Sequence, residues 1–125
     1  MSVAEIPPQP TEITLHRQSH VLEIAFDDGR RFKLPCEFLR VYSPSAEVRG
    51  HGPGQETLQS GKEGVTITAV EPVGNYALRL IFSDGHDTGI YSWRLLYTYG
   101  VNRDEMWREY LDRLRAAGAS REATT

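Results

Sequence analysis

The chain has one cysteine, Cys36, among its 125 residues. A single thiol excludes an internal disulfide and any metal site made only of thiolates from one chain. Cys36 stands between a proline and Glu37, with no cation or histidine beside it in sequence to activate the thiol. We therefore expect a half-buried, unreactive cysteine.

Long apolar runs and a surplus of positive charge are also missing. No stretch approaches the roughly 18 apolar residues that cross a bilayer, and the first five residues, MSVAE, do not begin a signal peptide. The net charge is −3 and the basic residues are spread along the chain, which argues against a general affinity for nucleic acid. These absences favour a cytoplasmic protein that binds neither membrane nor nucleic acid.

The specific catalytic motifs are absent as well. The sequence contains no phosphate-binding loop, no GxSxG elbow, no HExxH helix and no CxxC pair. The residues alone therefore predict no enzyme and no cofactor.

The chain does contain an internal repeat. Residues 22–29 (LEIAFDDG) and 78–85 (LRLIFSDG) match at Leu, Phe, Asp and Gly in one register. Apolar residues two apart indicate one face of a strand, and Asp-Gly is a pair that turns the chain. After the turn the first copy has Arg30, whereas the second has His86, which is a candidate ligand or acid–base group.

The pattern around the repeat predicts an α+β fold. We expect antiparallel β meanders, about six strands in two similar halves, packed with a short helix and two C-terminal helices. The predicted strands are 13–15, 21–26, 31–34, 65–70, 76–82 and 89–91, and the predicted short helix is 35–40.

Helix-end signals place the other helices. Ser43-Pro44 has the form of a helix start. Ser92 is the predicted N-cap of a helix over 93–99 that ends at Gly100. Asn102 and Glu105 form the predicted capping box of a second helix over 103–117. Its apolar stripe is expected to pack on the sheet, and consists of Met106, Trp107, Tyr110, Leu111 and Leu114.

Composition divides the chain into a lead-in, one domain and a tail. Residues 1–11 contain three prolines and read as an extended segment, and 12–117 form the single predicted domain. Within it, residues 50–64 contain five glycines and are predicted to be a mobile loop. Residues 118–125 are small and polar, so we expect a frayed tail.

Six polar residues are the candidates for a binding site: Arg40, Glu47, Arg49, His51, Asp84 and His86. His86 lies between two aspartates, so a carboxylate is able to orient its ring, although a histidine at a turn is more often a plain hydrogen-bonding residue. His51 lies among glycines, which either let a ligand approach the backbone or simply loosen the loop. Arg40 is the one charge in an apolar stretch, and we favour an ion pair with Glu47 or Asp84 over anion binding.

Residues 34–51, LPCEFLRVYSPSAEVRGH, resemble the small bacterial DUF971 family, also described as the gamma-butyrobetaine hydroxylase-like N-terminal domain. The segments 15–29 and 84–93 fit the same pattern, and the resemblance extends over about residues 8–117. In the hydroxylases that carry it, this domain precedes an Fe(II)/2-oxoglutarate oxygenase domain, for which this sequence has no room.

The resemblance also implies a zinc site made of three cysteines and one histidine. Laid on this chain, the histidine is His86, and the cysteine positions fall on Ser43, Ser45 and Val48. Hydroxyls and a valine cannot replace thiolates around Zn²⁺, and Cys36 stands in the wrong place to substitute, so we expect no bound metal. Similar domains are also joined to Mrp-type iron–sulfur carrier ATPases, which makes an iron–sulfur protein or metalloprotein a candidate partner.

Three functions follow from these residues and this resemblance. The first is a non-catalytic interaction or accessory domain that binds a protein partner not identified by the sequence. The second is an accessory factor for metal or iron–sulfur proteins that uses His86, His51 and Cys36. The third is a small-molecule binder with a cleft between the sheet and the C-terminal helix, lined by Trp93 and Tyr97.

Overall fold

The structure is a computed structural model that describes residues 7–50 and 56–123. Its elements, in chain order, are β1 (Pro10–His16), β2 (Val21–Phe26), β3 (Arg31–Pro35), α1 (Cys36–Val41), α2 (Ala46–Arg49), β4 (Ile67–Val73), β5 (Ala77–Phe82), β6 (Ile90–Ser92) and α3 (Trp93–Ala116). Strands β1-β2-β3 form one antiparallel sheet and β4-β5-β6 form the other. The predicted α+β class and the two similar meanders are confirmed.

The internal repeat extends further in the structure than in the sequence. The first strand of each sheet has one bulged residue, Thr11 in β1 and Thr68 in β4. Each bulged threonine donates its hydroxyl to a carbonyl of the neighbouring strand, at 3.3 Å to Ala25 and at 3.2 Å to Ile81. The two halves therefore share a local irregularity that sequence matching does not detect.

The two Asp-Gly turns also have the same backbone. Gly29 and Gly85 have φ of +88° and +89°, a left-handed conformation that favours glycine. Each glycine N–H donates at 3.0 Å to the carbonyl three residues earlier. In each turn the aspartate accepts from the N–H two residues on, at 2.9 Å for Arg30 and 3.2 Å for His86. The second turn thus presents His86 where the first presents an arginine.

One core joins both sheets to the helices. Its members include residues of β2, β5, α1 and α3, among them Leu22, Ile24, Phe26, Leu78, Leu80, Phe82, Phe38, Leu39, Leu96 and Tyr99. Met106 and Trp107 of the α3 stripe pack on this core, as predicted, whereas Tyr110 and Leu114 form a smaller cluster with Val41 of α1. Each fully buried side chain of this kind contributes about 1.5–3 kcal/mol.

The C-terminal region is one helix and not two. α3 continues for 24 residues through Gly100, so the helix end and the capping box predicted there are wrong. A Cβ on Gly100 would lie 2.3 Å from Cγ of Phe32 in β3. Gly100 is therefore required by the close approach of α3 to β3, and it does not end the helix.

The remaining helix starts were predicted with mixed success. Ser92 is the N-cap of α3, and its hydroxyl accepts from the N–H of Leu95 at 3.1 Å. The predicted short helix is α1, close to its expected bounds. α2 begins after Ser45, two residues later than the Ser43-Pro44 signal indicated.

The described part of the tail is tied to the domain, unlike the frayed tail that its composition indicated. The N–H groups of Gly61 and Glu63 donate to the carbonyls of residues 120 and 121, at 2.9 and 3.0 Å. The Arg121 guanidinium makes two hydrogen bonds to the buried carboxylate of Glu37, at 2.7 and 2.8 Å, and lies over the ring of Trp107. Residues 56–64 of the predicted loop are thus partly held by residues 118–123.

Replacing Arg121 by alanine should lower the free energy of unfolding by about 2 kcal/mol, because it leaves the Glu37 carboxylate buried without its charged partner. Urea denaturation followed by circular dichroism measures this loss. The matched control is Arg115→Ala on α3, where the side chain is 81% exposed and pairs with Asp112 at the surface. Equal losses in the two variants would show that the tail contact does not stabilise the fold.

Candidate functional site

His86 lies at the centre of a buried polar cluster between the second Asp-Gly turn and the corner that joins α1 to α2. Its Nε2 is 2.8 Å from Oγ of Ser43 and 3.3 Å from Oγ of Ser45. The exposed fractions of Ser43, Ser45 and His86 are 0%, 6% and 7%. These three residues are called the Ser–His cluster below.

The other ring nitrogen of His86 faces a carboxylate. Nδ1 is 3.5 Å from Oε2 of Glu47, whose Oε1 accepts from the hydroxyl of Thr88 at 3.1 Å. Burial, and next the positive charge of Arg40, lower the pKa of His86 and favour the neutral ring. We assign the proton to Nδ1, towards Glu47, so that Nε2 accepts from the Ser43 hydroxyl.

An ion pair between the buried Arg40 and the partly exposed Asp84 lies beside the cluster. Oδ2 of Asp84 is 2.9 Å from Nε of Arg40 and 2.8 Å from Nζ of Lys62. Burial raises the pKa of Asp84, but hydrogen bonds from Lys62, from the His86 N–H and from Arg40 outweigh it and hold that pKa at about 2. Of the two partners expected for Arg40, the structure therefore selects Asp84. Within residues 7–50 and 56–123, the buried Nη1 of Arg40 has no hydrogen-bond acceptor.

The structure brings together four of the six candidate residues: Arg40, Glu47, Asp84 and His86. Arg49 lies elsewhere, on the side of α2 that faces α3, where it donates to the hydroxyl of Tyr99 at 3.1 Å. His51 falls outside the described residues. Arg40 and His86 are buried and bonded within the domain, so they act mainly on their neighbours.

A cavity of about 1010 Å³ opens between the α1–α2 corner, residues 56–59 and α3. It is called the helical groove below. Its apolar lining includes Val41, Tyr42, Val48, Leu58, Met106 and Tyr110, and its charged lining consists of Arg49, Glu56 and Arg113. These residues come from segments far apart in the chain, so no local pattern in the sequence predicts the groove.

Trp93 and Tyr97, which were expected to line a binding cleft, lie outside the lining of the helical groove. Both rings pack against the core and neither lines the helical groove. The Tyr97 hydroxyl donates to Asp28 at 2.6 Å, and Nε1 of Trp93 donates to the carbonyl of Asn75 at 2.7 Å. Their polar atoms are therefore used within the fold.

Cys36 is not available as a metal ligand in this conformation. Its exposed fraction is 1%, so it is more deeply buried than the sequence indicated, and burial raises the pKa of its thiol. Across the described residues, no three His, Cys, Asp or Glu side chains converge in a way that would hold a metal ion. In the same part of the chain no helix has the length and apolar character to span a membrane.

Two meander halves, each with a bulged first strand and an Asp-Gly turn, and a long C-terminal helix define a small α+β domain built on an internal repeat. The family model described as "Gamma-butyrobetaine hydroxylase-like, N-terminal" matches residues 13–97. The chain belongs to this family, which is the DUF971 family of the resemblance noted above.

Solved structures agree with this assignment. One protein solved by NMR is 53% identical with a TM-score of 0.82, and the match covers 100% of this chain and 93% of the other. A second NMR structure is 45% identical with a TM-score of 0.82, over 94% and 93% of the two chains. A crystal structure of a DUF971 protein of unknown function from Acidithiobacillus ferrooxidans is 42% identical with a TM-score of 0.60. That match covers 70% of this chain and 88% of the other. No curated protein matches the chain.

Proposed function

We propose that the chain is a non-catalytic interaction domain that binds a protein partner in the helical groove. The observation that carries this proposal is the groove itself, which combines an apolar lining with exposed cations at Arg49 and Arg113. Apolar surface supplies affinity in protein recognition, and arginine is enriched at such interfaces. Iron–sulfur proteins and metalloproteins are the partner class that the resemblance implies.

The burial of Ser43 supports a non-catalytic role. Ser43, His86 and Glu47 have the order of a nucleophile, a base and a carboxylate, and the first distance, 2.8 Å, suits proton transfer. However, Ser43 is fully buried, and a Cβ placed on Gly89 would lie 2.6 Å from its Oγ. The oxygen is therefore not presented to a substrate carbonyl, and we explain the three residues as structural.

The charges of the groove favour a partner segment that carries carboxylates beside apolar side chains. The guanidinium groups of Arg49 and Arg113 are exposed, and their described contacts are a tyrosine hydroxyl and the surface carboxylate of Glu109. An incoming carboxylate is able to bind either guanidinium without breaking a buried ion pair. Binding of this kind weakens as salt is raised.

Reversing both charges, with Arg49→Glu and Arg113→Glu, should reduce capture of the partner at least tenfold while the domain stays folded. The measurement is quantitative mass spectrometry of proteins cross-linked to the immobilised domain in cell extract. The control is Arg115→Glu, which changes an exposed charge of α3 outside the groove lining. If the double variant captures the same proteins as the wild type in the same amounts, the groove is not the binding surface.

The volume of the groove also favours a second candidate, a small acidic ligand, because ligand cavities commonly measure about 300–1,000 Å³. Such a ligand raises the melting temperature of wild-type protein, since it binds the native state alone, and the Arg49→Glu/Arg113→Glu variant should lose this shift. The same pair of proteins therefore separates the two candidates in a panel of carboxylate and phosphate metabolites.

A further inference from the structure

The Ser–His cluster occupies the positions that the family resemblance assigns to a metal. Two of the three expected cysteine positions, Ser43 and Ser45, place their oxygens 2.8 and 3.3 Å from Nε2 of His86. The third, Val48, lies on α2 one helical turn after Ser45 and is 6% exposed. Residues three apart on a helix share a face, so Val48 lies on the same face of α2 as Ser45.

The residues that stand there do not fit zinc. Structural zinc sites are closed by four thiolate or imidazole ligands, whereas this site offers one imidazole, two neutral hydroxyls and a valine. The Ser43 oxygen also accepts from the backbone N–H of Ser45 at 3.3 Å. The donor set is therefore organised for hydrogen bonds and lacks the negative charge that a divalent cation requires.

Hydrogen bonds reach Nε2 and the backbone N–H of His86, and a carboxylate faces the other ring nitrogen. Nε2 of His86 receives the Ser43 hydroxyl, Nδ1 faces Glu47, and the His86 N–H donates to Asp84. A buried polar group with its partners present stabilises one arrangement of the surrounding backbone. These bonds join the α1–α2 corner to the second Asp-Gly turn, which is the connection that a metal at this place would make.

We propose that in this chain the Ser–His cluster takes the place of a metal centre, so that the domain folds and works without metal. Residues 43 and 45 converge on His86, and residue 48 lies on the same face of α2 as residue 45. Restoring thiolates at residues 43, 45 and 48 should therefore create a zinc site with His86 as the fourth ligand. Ser43 and Val48 also line the helical groove, but this inference rests on the contacts of His86 and does not depend on the partner proposed for the groove.

The test compares wild-type protein with the triple variant Ser43→Cys/Ser45→Cys/Val48→Cys. Elemental analysis should find no stoichiometric metal in the wild type, whose melting temperature should not change with a chelator. The triple variant should bind about one Zn²⁺ per chain, and its Co²⁺ form should have the intense visible absorption of a tetrahedral thiolate site. The matched control is Ser60→Cys/Ser83→Cys/Ser120→Cys, which adds three thiols at exposed serines and should bind neither ion in this way.

Two further variants decide the outcome if the triple variant does not fold. Ser43→Cys/Ser45→Cys supplies three ligands with His86 and should bind Co²⁺ at least tenfold more tightly than the wild type. Ser43→Ala in chelator-treated protein should raise the unfolding equilibrium constant about tenfold, because it leaves Nε2 of His86 without its closest partner. Stoichiometric zinc in the wild type that is lost on His86→Gln would overturn the proposal. So would a folded triple variant, or a double variant, that binds Co²⁺ no better than the wild type.

Discussion

Replacing Asp84 by alanine should lower the free energy of unfolding by about 3 kcal/mol, since it leaves the buried Arg40 side chain without its charged partner. The guanidinium of Arg40 is only 8% exposed and depends on Asp84 for its charged contact. The same substitution removes the acceptor of Lys62 and of the His86 N–H. Urea denaturation of the wild type and the variant measures the loss.

The internal repeat supplies the control for this prediction. Asp28→Ala changes the equivalent aspartate of the first turn, whose carboxylate accepts from Tyr97 and from the Arg30 N–H at the surface. It should cost only a small fraction of the Asp84 loss, because no buried charge is left unpaired. Similar losses in the two variants would mean that the turn, and not the ion pair, carries the effect.

The pH dependence gives an independent measure of the same carboxylate. The pKa of Asp84 is about 2 in the folded protein, below its usual value of 3.8, so the unfolded chain binds the proton first on acidification. The stabilisation is present above about pH 4 and is lost progressively as pH falls towards 2. Between these values the Asp84→Ala variant should lose less stability than the wild type; parallel curves would contradict the assignment.

Gly100→Val should lower the free energy of unfolding by about 3 kcal/mol, because even the Cβ of the valine has no space. The site is the point where α3 crosses β3, and the first added atom would lie 2.3 Å from Cγ of Phe32. That ring is held edge-on by Phe26 and Tyr97, so it cannot move away without disturbing both contacts. Helix propensity alone would predict a gain in stability, because it disfavours glycine in a helix by up to about 1 kcal/mol.

Asn102→Val is the control for Gly100→Val, since residue 102 is an exposed position of the same helix. It should change stability by no more than about 0.5 kcal/mol. Adding Phe32→Ala to Gly100→Val should recover part of the loss, and a double-mutant cycle measures this coupling. Thermal or urea unfolding of the four proteins of the cycle and of the Asn102→Val control is sufficient. A Gly100→Val protein as stable as the wild type would show that the ring moves aside freely.

The strands were predictable from the sequence because their signals are local. The bounds of β2 agree with the prediction, since alternating apolar residues and the following Asp-Gly pair lie within eight positions. Gly100 was misread because a glycine after a helical segment has two causes, a helix end or a close approach. Only Phe32, distant in the chain, distinguishes them. The contacts of residues 118–123 likewise depend on residues distant in the chain, since the partner of Arg121 is Glu37.

The site was predictable only in part. The apolar surroundings of Arg40 indicated an ion pair, but sequence left two partners open, and the fold selects Asp84. The convergence of Ser43 and Ser45 on His86 came from the family resemblance, because neither spacing nor composition connects residues so far apart. The helical groove gave no signal, since a cavity depends on how separate segments pack.

The likeness of the two halves extends from the bulges and turns to the helices that follow them. Each meander leads directly into a helix, whose first N–H donates to a carbonyl in the turn between the first two strands of that meander. The N–H of Cys36 donates to His20 at 2.9 Å, and the N–H of Trp93 donates to Tyr76 at 3.1 Å. The domain is thus a tandem of two β-β-β-α units. The same backbone position after the Asp-Gly turn carries an exposed arginine in the first unit and a buried histidine in the second. One local backbone design therefore serves a surface turn in one half and the centre of a buried polar cluster in the other.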